Sequence, residues 1–540
     1  MHSAFRRALQ YIPLLLLGAC SGDSEATAPL VNPPARAGFE ADAPWPGFTL
    51  VAPLEDRTVY LANMAGEAVH TWPSEYKTGE VCYLTKRGTL LKSQRAVDHP
   101  IFQDAGGHGG RIQEIDWDGS ILWDFQWDSE SGLNHHDIEE LPNGNLLFIA
   151  WDRTTREVAL AAGRDPELLK GEEFWAGAIY EVAPTRPVGG EIVWSWHSLD
   201  HLIQNHDESL AGYGEPSARP ERIDINGDRD PDPPDEEEKK EIAADIAALG
   251  YGAADASDDD DAPKGDDDAA EEEEKKEDPE DAARKARVKD ADWMHTNAVA
   301  YNAELDQIAI SVRRFDEIWI IDHGITREEA EGPKGDLLYR WGNPYAYGMG
   351  DWENRSLFGQ HDIQWIPEGH LGAGNLLVFN NGARPRKWTS VDEWWAPRDE
   401  NGRYPRAEGE PWRPWAPAWS WPAEEREGFF ARFISGVQRL PNGNTLICAG
   451  PQGHVIEITK GGEVVWDWKS PFYPVGEELD SFMKKYPTAI FRALRYATDS
   501  PNIVALRERG ASIPASAGSG PATNHYQPPP EKEDGESEEK

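Results

Sequence analysis

The stretch His136-Asp-Ile-Glu-Glu-Leu-Pro-Asn-Gly-Asn-Leu-Leu147 decides the reading of this chain, because its wording returns. His361-Asp-Ile363 leads into Gln-Trp-Ile and then Gly374-Asn-Leu-Leu377, and Ser435-Gly-Val437 opens the same phrase before Leu440-Pro-Asn-Gly-Asn-Thr-Leu446. Weaker copies start near Val81 and at His295-Thr-Asn297. Alternating apolar runs on either side of Pro-Asn-Gly-Asn spell a β-hairpin with a tight turn. A unit that recurs roughly every 40 to 80 residues is the mark of a propeller or solenoid. Companion hairpins follow, several ending in Trp, as in Arg111–Phe125, Glu191–Trp196 and Val455–Trp468. Two hairpins make a four-stranded blade, and the count points to an all-β, six-bladed β-propeller. Only the stretch from Arg384 to Phe430 breaks the pattern.

In a propeller the innermost strand of every blade begins near one mouth of the central channel. His136, His295 and His361, at the starts of equivalent strands, therefore converge on the axis. One such histidine would normally just satisfy a turn; three at one repeat position make a site. Arg313 ends the hairpin partner of the His295 strand and faces the same end. Three imidazoles and a guanidinium suit a tetrahedral oxyanion, since Arg offers a planar fork of donors and imidazoles donate or carry protons. An imidazole nitrogen also serves as nucleophile toward a sulfuryl or phosphoryl centre. Three histidines also suit a catalytic metal, but a cationic Arg in the same pocket opposes one, so neither metal nor cofactor is expected. No Ser-His-Asp order and no Gly-rich phosphate loop accompanies the set.

The net charge of −44 argues against nucleic acid and against an anionic membrane surface as partners. Much of it lies between Asp228 and Asp290, where 26 acidic residues face 10 basic ones; such blocks stay disordered. Just before it, Asp224-Ile-Asn-Gly-Asp228-Arg-Asp230, with Asp235 twelfth, resembles a calcium loop, but Arg229 stands where the sharp turn needs Gly. At the amino terminus Arg6 and Arg7 precede an apolar run and Leu17-Gly-Ala-Cys20, a secretory signal that also looks like a bacterial lipobox with Cys20 lipidated. Ser21 in the next position favours the outer membrane, facing the periplasm or the cell surface. The expected organisation is a lipoprotein signal over 1–20, a flexible tether over 21–44, a propeller over 45–508 with the acidic disordered insertion at 227–290, and a disordered tail over 509–540. Cys82 and Cys448 fall on different strands of the first and last blades and are expected as buried free thiols, a disulfide being the alternative.

Further pieces in order sharpen the reading: Asn134-His-His-Asp137, Asp292-Trp-Met-His-Thr-Asn297 with Arg313, Gly335–Pro344, Phe358-Gly-Gln-His-Asp362, Asn380-Asn-Gly382, Phe433-Ile-Ser-Gly436 and Phe491-Arg-Ala-Leu-Arg-Tyr496. Together they resemble the arylsulfotransferase family, the bacterial aryl-sulfate sulfotransferases that do not use the adenylated donor. The resemblance runs from about Pro44 to Leu506, the acidic insertion apart. It implies a six-bladed propeller in which His361 takes a sulfuryl group from an aryl sulfate as a sulfohistidine and a phenol collects it, in ping-pong order. His136, His295 and Arg313 would hold the sulfuryl oxygens, one imidazole would deprotonate the phenol, and Asn297 would orient its neighbours. Alignment with His361-Asp362 favours His136 over His135. Trp293 and Trp365 flank site histidines and are candidates to stack on the aryl ring. The implied partners are small aryl sulfates and phenols, with a homodimer left open and the membrane touched only through the anchor. A sulfate-ester hydrolase on the same scaffold, a quinone-dependent dehydrogenase propeller and a non-catalytic binding propeller are the competing readings.

Overall fold

Each Pro-Asn-Gly-Asn segment, and Gly374-Asn375 in the related copy, is the turn between the first and second strands of a blade, and the Asn that ends it has a further task. Asn145, Asn375 and Asn444 donate from Nδ2 to a carboxylate on the third strand of their own blade, respectively Glu181 (2.5 Å), Glu393 (2.5 Å) and Glu457 (2.7 Å). The other oxygen of each carboxylate meets a basic side chain of the following blade: His323 at 3.0 Å, Arg439 at 2.7 Å and Arg495 at 2.5 Å. Glu114 repeats the scheme with Thr89 and Arg186. A hairpin signal in the sequence is thus also a latch between neighbouring blades.

The computed structural model describes residues 42–518 apart from 96–98, 103–104, 233–282, 284–285, 289, 423–428 and 475–480. Six antiparallel sheets radiate from one axis. Blade 2 is built from Thr78–Leu84, Leu90–Arg95, Gly110–Ile115 and Ile121–Gln126, and blade 3 from Gly132–Glu140, Leu146–Thr155, Glu173–Pro184 and Gly190–His197 with a short extra pairing at Asp128–Ser129. Blade 4 runs Thr296–Asn302, Gln307–Val312, Glu317–Asp322 and Tyr339–Trp341; blade 5 runs His361–Trp365, Leu376–Asn380, Ser390–Trp394 and Trp419–Pro422. Blade 6 holds Gly436–Arg439, Thr445–Ala449, His454–Ile458 and Val464–Lys469. Blade 1 is shared between the two ends of the chain: Gly47–Pro53, Val59–Ala62 and Ala68–Trp72 form its outer strands, and Ile490–Ala497 its inner one. That closure joins first and last blades and removes the open edges an incomplete ring would leave. The six inner strands touch in sequence around the ring.

Between blades the core is aromatic, as in the stacked pair Trp341 and Trp394, 4.1 Å apart. Such pairs contribute about 0.5–1.5 kcal/mol beyond the burial of their area. Cys82 and Cys448 are both buried and free in one core cluster, Cys82 on the inner strand of blade 2 rather than in the first blade and Cys448 in blade 6. Among the described residues no helix is long and apolar enough to cross a membrane.

Packed chain extends beyond two boundaries drawn from sequence. Ala511, Ile513 and Ala517 are buried against blade 1, and the Met64 amide donates to the Ala517 carbonyl at 2.9 Å, so the propeller unit runs past residue 508. Asn226 and Asp228 are likewise tied down, Asp228 to buried Arg164. The acidic stretch 233–282 lies outside the described residues; the chain enters and leaves it between the last strand of blade 3 and the first of blade 4. The oxygens of the calcium-like loop are taken by arginines, Asp228 by Arg164 and Asp230 by Arg384 at 2.7 Å.

Candidate active site

The inner strands do not run straight through the mouth. Registers slip near the start of the inner strands of blades 2, 3, 4 and 5, and non-glycine residues adopt positive φ there: Glu80 (89°), His136 (53°), His295 (47°) and Asp362 (57°), with Ser435 (89°) just ahead of the blade 6 strand. These are β-bulges, which bend a strand and re-aim its side chains. In a plain strand successive side chains alternate faces; here His136 and Asp137, and again His361 and Asp362, both turn toward the channel. A left-handed non-glycine residue costs on the order of 1–3 kcal/mol and persists where the surroundings hold it.

The bulges bring the sequence-predicted residues together. The rings of His136 and His295 lie 4.7 Å apart, edge to face. His136 and His361 stand 6.0 and 6.1 Å from the ring of Phe491, which rises from the inner strand of blade 1 as the floor of the site. Across its hairpin, the Arg313 amide donates to the His295 carbonyl at 3.4 Å. A Cβ placed on Gly359 would stand 3.9 Å from Arg313 Nε, so this guanidinium lies beside the turn that leads to His361. Asn297 Nδ2 donates to the Gln360 carbonyl at 2.8 Å, and Gln360 in turn donates to Ser311, Val312 and Glu317, locking that turn to blade 4.

Each imidazole is held in a defined orientation. His361 Nδ1 faces the Gly359 carbonyl at 3.1 Å and Asn381 Oδ1 at 2.8 Å. The Asn381 amide is fixed by donating from Nδ2 to the Ala431 and Ile434 carbonyls, both at 2.8 Å, so its oxygen must face the histidine. Two acceptors at Nδ1 place the proton there and leave the lone pair on Nε2. His295 donates from Nδ1 to Asp292, whose other oxygen accepts from the Trp151 indole at 2.9 Å. His136 meets His135, Nδ1 to Nδ1, at 2.7 Å, and His135 is stacked on Trp151 at 3.9 Å. His136 is therefore the member that enters the site and His135 the one that backs it. Burial is the largest cause that holds His361 and His136 well below the ordinary histidine value; Arg313 lowers both further, and His295 and His135 add to the effect on His136. Burial also lowers His295, against the pull of Asp292.

A family model described as Arylsulfotransferase (ASST) matches residues 79–460, which include His136, His295, Arg313 and His361. The chain belongs to the arylsulfotransferase family. It is a sulfotransferase, and small aryl compounds are the substrates its family implies. No curated protein matches it. Among solved structures, it is similar to a protein of unknown function from Bacteroides caccae (13% identity, 83% of this chain and 98% of that one, TM-score 0.39). It is also similar to the β-propeller domain of Cps50 (Swd1) from Myceliophteria thermophila (11%, 82% and 90%, TM-score 0.34) and to virginiamycin B lyase from Staphylococcus aureus (9%, 81% and 86%, TM-score 0.31).

Two expected substrate contacts are placed elsewhere. Trp293 is 1% exposed and packs between Phe174 and Phe315, and Trp365 is 9% exposed in the same inter-blade core. Adjacency to a histidine in the chain does not carry a ring to the site: Trp365 ends its strand, about 13 Å along from His361. The residues that do pack against the site histidines include ones the sequence did not single out: Asn381, Asp292, His135, Phe491 and Gly107. The Gly107 carbonyl accepts the His136 amide at 2.7 Å, and a Cβ at Gly107 would stand 2.1–2.4 Å from three atoms of the His136 ring. Its φ of +79° already excludes most side chains. Gly107→Ala is expected to displace that ring and lower kcat about 100-fold with the fold intact, read from steady-state rates and circular dichroism; a rate within threefold of the parent enzyme contradicts this placement.

Proposed function

We propose that this arylsulfotransferase moves a sulfuryl group from an aryl sulfate to a phenol in two half-reactions through a sulfohistidine at His361, without an adenylated donor. The observation that carries this reading is the double acceptor at His361 Nδ1, which presents the Nε2 lone pair to the channel. In the first half-reaction Nε2 attacks sulfur, the N–S bond forms, the S–O bond to the aryl group breaks, and aryloxide leaves. The positive charge that develops on the ring is shared through Nδ1–H with Asn381 Oδ1 and the Gly359 carbonyl. Arg313 and His136 hold the sulfuryl oxygens as charge shifts among them. In the second half-reaction the phenol oxygen attacks sulfur, the N–S bond breaks, and the phenol proton passes to His295 Nε2. Asp292 supports that role, because a carboxylate at Nδ1 makes the other nitrogen a better base.

The sign of the pH dependence follows from the lowered imidazole values. A nucleophile must be neutral, so the first half-reaction is fully active above the pKa of His361 and lost as pH falls through it. That value lies well below the ordinary 6.5. The acid limb of the donor half-reaction, followed as the nitrophenol burst without acceptor, is expected below pH 6.5; a limb at or above that pH contradicts a neutral, buried nucleophile.

Overall turnover tests the reading directly. With 4-nitrophenyl sulfate, nitrophenol release should depend on added phenol and yield phenyl sulfate. Release at the same rate without phenol would mean hydrolysis, and no release across several phenols would overturn the donor class. The amino-terminal lipobox supports an outer-membrane lipoprotein anchored through Cys20. Labelled fatty acid should enter the wild-type chain and not Cys20→Ser; equal labelling of both would remove that part of the proposal.

A further inference from the structure

Behind the Phe491 ring lies a second polar layer that the transfer chemistry does not use. Arg492, the next residue on the inner strand of blade 1, keeps a side chain only 6% exposed and faces blades 3 and 5. Its Nε lies 3.0 Å from Asp362 Oδ1 as an ion pair without hydrogen-bond alignment, and its Nη2 donates to Asp137 Oδ2 at 3.2 Å. Nη1 donates to the Tyr83 hydroxyl of blade 2, which donates to Asp137 Oδ1 at 2.6 Å. The two carboxylates also reach onward: Asp137 Oδ2 accepts the Val299 amide of blade 4 at 3.1 Å, and Asp362 Oδ2 accepts the Val437 amide of blade 6 at 2.6 Å. Gly436 leaves the necessary room, since a Cβ there would stand 2.5 Å from Asp362 Oδ2 and 2.8 Å from Arg492 Cγ. The guanidinium links blade 1 to blades 2, 3 and 5, and the two aspartates extend the cluster to blades 4 and 6.

Asp137 and Asp362 are the residues that follow His136 and His361 in the chain, on the same two bulges. We propose that Arg492 is a positioning residue for sulfuryl transfer: by bridging Asp137 and Asp362 it fixes the bulges that carry His136 and His361 on either side of the Phe491 ring. This rests on the roles given to those histidines above. Arg492 falls outside the segment that the family model matches. The latches at the opposite face tie one blade to the next; this brace ties the two histidine-bearing bulges to a third blade directly behind the site. Burial lifts Asp362 to about 6 against the opposing pull of Arg492. A planar, five-donor fork suits such a bridge, and a single ammonium cannot make both contacts in that geometry.

The test uses the full chain with Arg492→Met, Arg492→Lys and His361→Asn, each compared with the parent for thermal melting and for kcat and KM with 4-nitrophenyl sulfate and phenol. The expected result is a cooperative melt, a KM for donor within threefold, and a kcat lowered about 100-fold by Arg492→Met, as for an ångström-scale misplacement of a reacting group. Arg492→Lys should recover no more than about tenfold of that loss, because charge alone does not restore the two-carboxylate bridge. A folded Arg492→Met with kcat within threefold of the parent overturns the proposal, as does full rescue by Arg492→Lys. Should Arg492→Met not fold, Arg492→Lys decides alone: parental kcat overturns, and a folded, slow enzyme with unchanged KM supports. Activity surviving in His361→Asn would instead sink the sulfohistidine reading and leave the geometry of the brace untouched.

Discussion

His361→Asn is expected to abolish the nitrophenol burst and to lower turnover by at least about 10⁴-fold, the loss seen when a covalent nucleophile is removed and only binding and charge stabilisation remain. Asn can still donate from Nδ2 to the Gly359 and Asn381 oxygens and roughly fills the ring's near half, so the fold should survive. The size of the loss follows from the division of labour at the site. Arg313 and His136 stay in place to hold sulfuryl oxygens, yet no other described group presents a lone pair held like His361 Nε2, with the Gly359 and Asn381 acceptors behind it. His295 is the nearest substitute, but its Nε2 is assigned to the phenol proton. Quenched-flow measurement of the burst, with donor binding measured separately, distinguishes lost chemistry from lost affinity. A drop of less than about tenfold would mean that the donor reacts by direct transfer or at another residue.

The second large effect concerns stability. Glu457→Ala is expected to destabilise the chain by about 3–5 kcal/mol, the range for removing one partner of a buried ion pair. Glu457 and Arg495 are both 0% exposed and lie 2.5 Å apart. Glu457 Oε1 also accepts the Trp45 amide and Asn444 Nδ2, both at 2.7 Å, while Arg495 sits over the Trp466 ring at 4.1 Å. Losing the carboxylate strands a guanidinium in the core and frees the seam where the last blade meets the strand that closes the ring. An exposed pair such as Lys170 and Glu167 at 2.7 Å would contribute less than about 1 kcal/mol, so Glu167→Ala is the matched control. Urea unfolding reads both. Because the latch lies at the face opposite the histidines, kcat per folded molecule should hold; a stability loss under about 1 kcal/mol would show that water or a rearranged carboxylate satisfies Arg495.

Much of this was legible because repeats expose their own rules. The Pro-Asn-Gly-Asn turns gave the hairpins, the Trp-ended outer strands gave the blade count, and His-Asp-Ile marked two of the three histidine positions. What stayed hidden depended on geometry that sequence periodicity does not encode. Strand alternation places Asp137 and Asp362 opposite their histidines; the bulges turn both residues inward, and the Arg492 brace becomes visible only then. Asn381 lies in the loop after a second strand, and its amide is aimed by carbonyls of Ala431 and Ile434 some 50 residues further on. Phe491 and Arg492 stand on a strand that carries no copy of the repeat, since closure borrows it from the far end of the chain. Trp293 and Trp365 mislead for the opposite reason: inter-blade packing claims large rings wherever they flank a channel residue.

The account turns on a covalent intermediate at one nitrogen. The most direct measurement is to mix enzyme with 4-nitrophenyl sulfate without acceptor, quench at alkaline pH to keep the acid-labile, sulfamate-type N–S bond, and map the sulfuryl adduct by peptide mass spectrometry. The account predicts a stoichiometric adduct on the peptide containing His361, discharged when phenol is added before the quench. An adduct elsewhere, or turnover with none at any time, would contradict it.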